Sequence, residues 1–487
     1  MRIRPVLLAI GVMVALLGVA MVPSALIDLA DQDTERGANW RIFAGSAIIC
    51  ITIGLVAVGL AGKNNRATGP KEAFVLTVLV WTFLPAVAAI PFVLSNYSIT
   101  DGWFESVSGL TTTGSTVLTG LDLMPRGLLL WRAILQWIGG IGIIVTAIAI
   151  LPMLRVGGMQ LFQLESSDMS GKFLPRVTEI AAQTGLVYLG LTIACAVLYD
   201  INGMNTFDCI THAMTTMAAG GYSTHDESFA YFGSGASSVA ILFMILAGLP
   251  FASFVLLLRG NPRPFLRDSQ PRLYLAIMVA AIIIMLLYNS IGQGSAVFDD
   301  FDEALRNTAF SVVSVMTGTG YANTNYGAWG PGSTAMFLML MFLGGCAGSA
   351  ACGMKIFRLE ISVRAIVAHA KRMVSPNRLA PVRYNGRVVD EDTIQSVLVF
   401  MFLYLATFMI TSALLGLTEN VDAVTAISGA ATSVSNVGPG LGSLIGPKGT
   451  FQSLSDPAKW ICSFAMLLGR LEFIAMFVVL TPRFWRG

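Results

Sequence analysis

The chain has 487 residues, of which 55% are hydrophobic and 12% charged, with a formal net charge of +2. Soluble domains carry about 25% charged residues, so this composition excludes an ordinary soluble enzyme. The small net charge excludes a nucleic-acid binder with a basic surface. The six cysteines match neither a zinc site nor a disulfide framework. The sequence therefore predicts an all-α polytopic membrane protein.

Ten segments are apolar over about 20 residues, the length that crosses a bilayer as a helix. They lie at about 6–27, 42–62, 73–94, 126–154, 181–199, 236–258, 273–292, 334–358, 395–417 and 460–481. The first follows Arg2 and Arg4 and could be a signal peptide, but its apolar run exceeds the usual length of about 7–15 residues. We therefore predict that it is a membrane helix.

The basic residues divide the loops into two sets. Loops on the side that holds both termini carry 22 of the 30 Lys and Arg residues, which predicts that this side is cytoplasmic. The opposite loops, to which we assign Arg126 and Arg132, are acidic, with Asp208 and Asp226 among their carboxylates. Such a surface attracts cations.

The spans from residue 73 onward form four pairs with similar outer connections. These contain SGLTTTGST (108–116), TTMAAGGYST (215–224), SVMTGTGYA (314–322) and TSVSNVGPG (432–440), which align Gly114, Gly221, Gly320 and Gly438. About ten helical residues before each glycine span about 15 Å, half a membrane, which predicts re-entrant half-helices entering from the outer side. Carboxylates near their outer starts, such as Asp101 and Glu105, suit helix N-termini.

Irregular backbone at membrane depth is stable only when it is buried in protein or lines a watery cavity. Four such segments around one axis would direct backbone carbonyls at a monovalent cation. We therefore predict two N-terminal helices (1–70) followed by four helix–pore loop–helix repeats around one pore. The repeats occupy 71–176, 177–268, 269–387 and 388–487, and the second helix of the third repeat is broken.

These repeats, with the motifs TTTGST, GGYSTHD, TGTGY and SNVGPG, resemble the Trk/Ktr/HKT superfamily of potassium transporters. The two additional N-terminal spans resemble the bacterial TrkH type. The resemblance implies a non-enzymatic, potassium-conducting subunit of the bacterial inner membrane that forms homodimers with one pore per protomer. It also implies gating by a cytosolic TrkA-type subunit. Potassium would be the transported ion, nucleotide would bind only to that partner, no cofactor would be covalently attached, and the other contacts would be with lipid rather than nucleic acid.

The resemblance also implies which residues form the selectivity filter. Glycine at all four aligned positions resembles the potassium-selective members, whereas Ala218 and Ala219 depart from the commoner Ser and Thr. The implied filter comprises Thr111, Thr112, Thr113 and Gly114; Ala218, Ala219, Gly220 and Gly221; Thr317, Gly318, Thr319 and Gly320; and Ser435, Asn436, Val437 and Gly438.

Two further features could control the pore. The eighth span contains the small-residue cluster GGCAGSAACG (344–353), which indicates either close helix packing or a non-helical plug. In the family the matching segment is the gating loop, here with Gly344, Gly345, Gly348 and Gly353 and followed by Lys355. Arg470 lies inside the last span and either pairs with Glu472 or faces a watery cavity; the family's matching arginine is a barrier to cations.

Two alternatives stay open. The basic stretch 364–387 is either a topological, lipid-facing loop or a docking surface for the cytosolic partner. The rival to a channel-like pore is an obligatorily coupled proton/potassium or sodium/potassium symporter. Carriers of the inverted-repeat type have repeats of opposite orientation, whereas these four repeats all enter from the same side.

Overall fold

The computed structural model describes residues 3–32, 37–62, 69–149, 173–291, 300–377, 379–418, 421–471 and 473–486. The predicted end of the fourth span and the basic residues Lys63, Arg66, Arg155, Lys172 and Arg378 lie outside these ranges. Over these ranges the chain is predominantly helical, and the strands found there are the two-residue pair Arg383–Tyr384 and Arg387–Val388. The predicted all-α polytopic class is confirmed.

Within the described ranges, seven helices are long and apolar enough to cross a membrane. They match seven predicted spans and are Ile3–Ala30, Trp40–Ala61, Lys71–Leu94, Arg126–Thr146, Glu179–Ile201, Ser269–Ile291 and Glu391–Thr418. The first two pack through glycines, because a Cβ on Gly54 would lie 2.5 Å from the Gly11 carbonyl oxygen. Small residues allow membrane helices to approach this closely.

The other three predicted spans are broken. The prediction of one continuous helix over 236–258 is wrong, because Ser234–Ala247 and Phe251–Leu258 meet at 93°. Pro250 lacks a backbone N–H and disfavours helical geometry in the residue before it, which explains the break. The span at 460–481 is likewise divided, into Asp456–Arg470 and Ile474–Leu480.

The third break separates Pro331–Phe342 from Ile356–Val374 and coincides with the small-residue cluster. The loop 343–355 between them supplies hydrogen bonds to the break in the 236–258 span. Cys346 N donates to Gly248 O (2.9 Å) and Ala350 N to Ala247 O (3.1 Å), while Gly348 O accepts from Phe251 N (3.0 Å). Backbone groups released by one break are therefore satisfied by the other, as membrane depth requires.

Four short helices occupy the predicted half-helix positions. They are Ile99–Leu110, Thr206–Met217, Phe301–Thr317 and Ala423–Ser435, with lengths of about 18–26 Å at 1.5 Å per residue. The first two have capped N-termini: Ser98 Oγ accepts from Asp101 N (3.0 Å) and Asn205 Oδ1 from Asp208 N (2.9 Å). Each helix ends at or directly before one of the four glycine-containing segments, so these segments start from helix C-termini.

Candidate functional site

The segments 111–114, 218–221, 317–320 and 435–438, here called ring segments one to four, share one backbone conformation. The second residue of each is left-handed, with φ of 53° at Thr112, 51° at Ala219, 74° at Gly318 and 55° at Asn436. The fourth is a glycine with positive φ, between 75° and 112°. A left-handed conformation costs a non-glycine residue roughly 1–2 kcal/mol, so the surrounding structure must hold Thr112, Ala219 and Asn436 in place.

The four segments close into a ring. A Cβ added to Gly114 would lie 2.1 Å from Gly220 O, and one on Gly221 would lie 1.8 Å from Thr319 O. The series continues from Gly320 to Val437 O (2.0 Å) and from Gly438 to Thr113 O (2.9 Å). Each glycine therefore faces the third carbonyl of the next segment, in the cyclic order one, two, three, four, one. No side chain fits at the first three glycines without moving a carbonyl.

Hydroxyl groups brace the first and third ring segments in the same way. Thr111 Oγ1 donates to Val107 O and shares a hydrogen bond with Thr113 Oγ1, both at 2.7 Å. Thr317 Oγ1 donates to Val313 O and shares one with Thr319 Oγ1, both at 2.8 Å. The hydroxyls of both segments therefore bind one another and the preceding helix in the same pattern.

Three supporting residues were missed by sequence reasoning. Gln136 donates from Nε2 to Gly220 O (2.5 Å) and accepts from Tyr222 N (3.0 Å). Tyr404 Oη lies 2.6 Å from Ser435 Oγ, and Tyr321 Oη bonds to hydroxyls of the second half-helix. A glutamine inside the apolar run of 126–149 is the signal that could have identified Gln136.

The loop 343–355 lies directly against the ring. Cys352 contacts two segments: its Sγ is 3.3 Å from Thr112 Oγ1, and its backbone N donates to Thr317 O (3.4 Å). The glycines predicted for this loop permit its tight course, since Gly348 and Gly353 have φ of 71°. A Cβ on Gly344 would lie 2.0 Å from Cys352 O, and one on Gly345 would lie 2.6 Å from Ala351 Cβ. Lys355, 7% exposed, donates to Ala351 O (2.5 Å) at the end of the loop.

Arg470 lies beside this loop and is 4% exposed. Its Nη1 donates to Cys352 Sγ (2.9 Å) and its Nη2 to Gly139 O (3.1 Å). Glu472, its alternative partner in the sequence, lies outside the described residues. The structure thus brings together the ring, the small-residue loop and the arginine through Cys352, a residue that sequence reasoning did not single out.

His225 connects the chain that follows the first ring segment with the second half-helix, and His212 braces that half-helix. His225 lies between Asp122 and Asp208, with 3.1 Å between Nε2 and Asp208 Oδ2. Burial alone would lower the pKa of His225, but hydrogen bonds and charges from these two carboxylates raise it. His212 bridges Asp208 O and Ser223 Oγ at 3.0 Å each. These side chains hold the connection that follows the second ring segment.

Two charged residues lie elsewhere than the sequence indicated. Arg132, assigned to an outer loop, is buried in the helix Arg126–Ala149. Glu105, interpreted as an N-terminal acid, lies in the middle of the first half-helix and pairs with Arg132. Hydropathy could not reveal this pair, because its members are 27 residues apart and belong to different helices.

Comparison with known proteins identifies related chains that align with this one over its full length. The family model TrkH, described as a cation transport protein, matches residues 40–486. The Trk system potassium uptake protein TrkI of Halomonas elongata is 39% identical over all of this chain and 97% of its own length. The Trk system potassium uptake protein TrkH of Escherichia coli K12 is 35% identical, with full coverage of both chains. The crystal structure of the potassium transporter TrkH from Vibrio parahaemolyticus superimposes with a TM-score of 0.90 at 32% identity, also over both chains in full.

Proposed function

Because the chain belongs to the TrkH family of cation transport proteins, we propose that it takes up potassium across the bacterial inner membrane through the four-segment ring. The carrying observation is the ring closure, in which each glycine faces a backbone carbonyl of the next segment. Backbone carbonyls can replace the hydration shell of a monovalent cation. The names of the relatives, which are potassium uptake proteins, support potassium as that cation.

The half-helices support a cation rather than an anion. All four end at the ring with their C-termini, where a helix dipole places about half a negative charge. An anion at the ring would instead be repelled by the partial negative charges of these four helix C-termini. The common direction of the half-helices also favours a channel-like pore over a carrier built from inverted repeats.

Transport by the purified full-length protein in liposomes tests this proposal. We expect rubidium uptake that potassium inhibits at much lower concentration than sodium, with empty liposomes as the control. Equal inhibition by both ions would contradict a potassium-selective ring. Current–voltage recordings of the protein in bilayers, under a pH or sodium gradient, test the coupled symporter. A reversal potential that follows the potassium gradient alone would exclude it, whereas one that also follows the proton or sodium gradient would support it.

Control of the pore is the second part of the proposal. The loop 343–355 would close the pore at the ring, because Cys352 touches the first and third segments and also Arg470. The helix Ile356–Val374 continues from this loop to Lys371 and Arg372. A cytosolic TrkA-type subunit that binds near these residues could therefore move the loop through one continuous helix. The relatives are named as parts of Trk systems, which supports a partner, and we extend the proposal to a homodimer with cytoplasmic termini.

Charge reversal at the end of this helix tests the docking surface. Lys371, Arg364 and Arg383 line a groove of about 540 Å³ together with apolar side chains, and Arg372 is exposed next to Lys371. We expect Lys371→Glu with Arg372→Glu to insert correctly and to lose binding of the cytosolic subunit together with nucleotide-dependent flux. Reversal of Arg483 and Arg486, which lie in the C-terminal helix Pro482–Arg486, is the matched control. Wild-type binding at physiological salt would reduce 364–387 to a topological signal.

A further inference from the structure

A buried ion pair joins the first half-helix, Ile99–Leu110, to the helix Arg126–Ala149, and neither residue belongs to a ring segment. Arg132 Nε donates to Glu105 Oε1 at 2.8 Å, and both side chains are 1% exposed. Burying a carboxylate and a guanidinium carries a large desolvation cost, which is offset only when good geometry and further hydrogen bonds satisfy both groups. The partners that satisfy them therefore indicate what the pair holds.

Glu105 binds the residues that follow the first ring segment. Its carboxylate accepts from Thr116 Oγ1 (3.0 Å) and from Val117 N (3.1 Å). Thr116 and Val117 come two and three residues after Gly114. The first half-helix, which carries Glu105, thus holds the chain on the far side of its own ring segment.

Arg132 binds the residues that follow the second ring segment. Its Nη1 donates to Ser223 O (3.0 Å), its Nη2 to Thr116 Oγ1 (3.2 Å), and its guanidinium lies 4.1 Å from the centre of the Tyr222 ring. Tyr222 Oη in turn donates to Glu105 O (3.0 Å). One guanidinium therefore connects the chain beyond Gly114 with the chain beyond Gly221.

We propose that Glu105 and Arg132 are specificity-determining positioning residues that fix the first ring segment relative to the second. A Cβ on Gly114 of segment one would lie 2.1 Å from Gly220 O of segment two. The relative position of these two segments therefore sets the spacing of the carbonyls that would surround the ion. Gln136, one helical turn after Arg132, binds Gly220 O and Tyr222 N and extends the same support. This inference rests on the proposed function of the ring as a potassium filter.

If the Glu105–Arg132 pair served only to stabilise the fold, a folded variant without it would keep its ion preference. Replacing a buried ion pair by apolar residues of similar volume is often neutral or stabilising, so Glu105→Leu combined with Arg132→Met is expected to fold. The apolar pair cannot bind Ser223 O, Val117 N or Thr116 Oγ1. We expect this variant to remain folded while its potassium-over-sodium preference falls about tenfold, which corresponds to about 1.4 kcal/mol.

The experiment measures rubidium uptake against sodium in liposomes that contain the full-length protein. Arg132→Lys keeps the charge but loses the planar fork, and it tests the same loss of preference if the double variant does not fold. Asp31→Asn is the matched control, because Asp31 pairs with Arg126 at the start of the same helix. It should leave the preference unchanged.

The outcomes separate the two proposals. A selective wild type with less selective, folded Glu105 and Arg132 variants supports the inference. A selective wild type and equally selective variants would overturn the inference and leave the proposed function intact. A wild type without potassium preference would overturn the proposed function, and the inference with it.

Discussion

Replacing Arg470 with alanine is expected to raise rubidium flux through the isolated protein by about 30-fold. A fixed positive charge about 8 Å from a permeating cation, at an effective dielectric near 20, contributes a barrier of about 2 kcal/mol, which corresponds to that factor. The buried position of Arg470 beside the loop that contacts the ring places the charge near the proposed path. Flux into liposomes without the cytosolic partner measures the effect.

Two matched variants separate charge from contact. Arg470→Lys keeps the charge but changes the hydrogen bonds to Cys352 and Gly139, and flux should stay near the wild-type level. Cys352→Ala keeps Arg470 and removes the sulfur that it binds, so flux should rise less than in Arg470→Ala. If Arg470→Ala folds and transports no faster than wild type, the barrier lies elsewhere.

Most of the fold follows from patterns that repeat along the chain. Apolar length predicted ten spans, of which seven are continuous membrane helices within the described residues. The glycine column predicted the half-helices, because only glycine tolerates both the positive φ and the close carbonyl. The second ring position could not be predicted in the same way. It is also left-handed, but Thr112, Ala219, Gly318 and Asn436 occupy it, so tertiary contacts rather than residue type determine its conformation.

The residues that sequence reasoning missed depend on contacts between distant parts of the chain. Gly248 and Pro250 are helix-breaking signals, yet the apolar run around them favoured a continuous span. The break leaves backbone groups of Ala247, Gly248 and Phe251 without partners in the helix. Loop 343–355 stabilises the break because it forms hydrogen bonds with these groups. The role of Cys352 could not be predicted from its neighbours in the sequence, because its partners Thr112, Thr317 and Arg470 come from three separate repeats.

Alanine substitutions at the four ring glycines are expected to reduce potassium-over-sodium preference in an order set by contact distance. The new Cβ would lie 1.8 Å from a carbonyl oxygen at Gly221, 2.0 Å at Gly320, 2.1 Å at Gly114 and 2.9 Å at Gly438. Forcing extra volume into a packed site costs typically about 1–3 kcal/mol. If displaced carbonyls change the relative binding free energy of the two ions by this amount, the preference falls roughly 5- to 150-fold. We expect the first three variants near the upper end of this range and Gly438→Ala near the lower end, in competition assays with rubidium and sodium.

Gly120→Ala distinguishes carbonyl displacement from backbone strain. Gly120 has φ of 74°, close to the values at Gly221 and Gly320, but a Cβ there would meet nothing within 4 Å. Alanine at this position carries the left-handed cost of roughly 1–2 kcal/mol without touching a carbonyl, so stability should fall and ion preference should not. Equal loss of preference at all four ring glycines would show that backbone strain, rather than contact between the new Cβ and a carbonyl, lowers the ion preference. Unchanged preference in Gly221→Ala, where the contact is closest, would remove these carbonyls from the path of the ion.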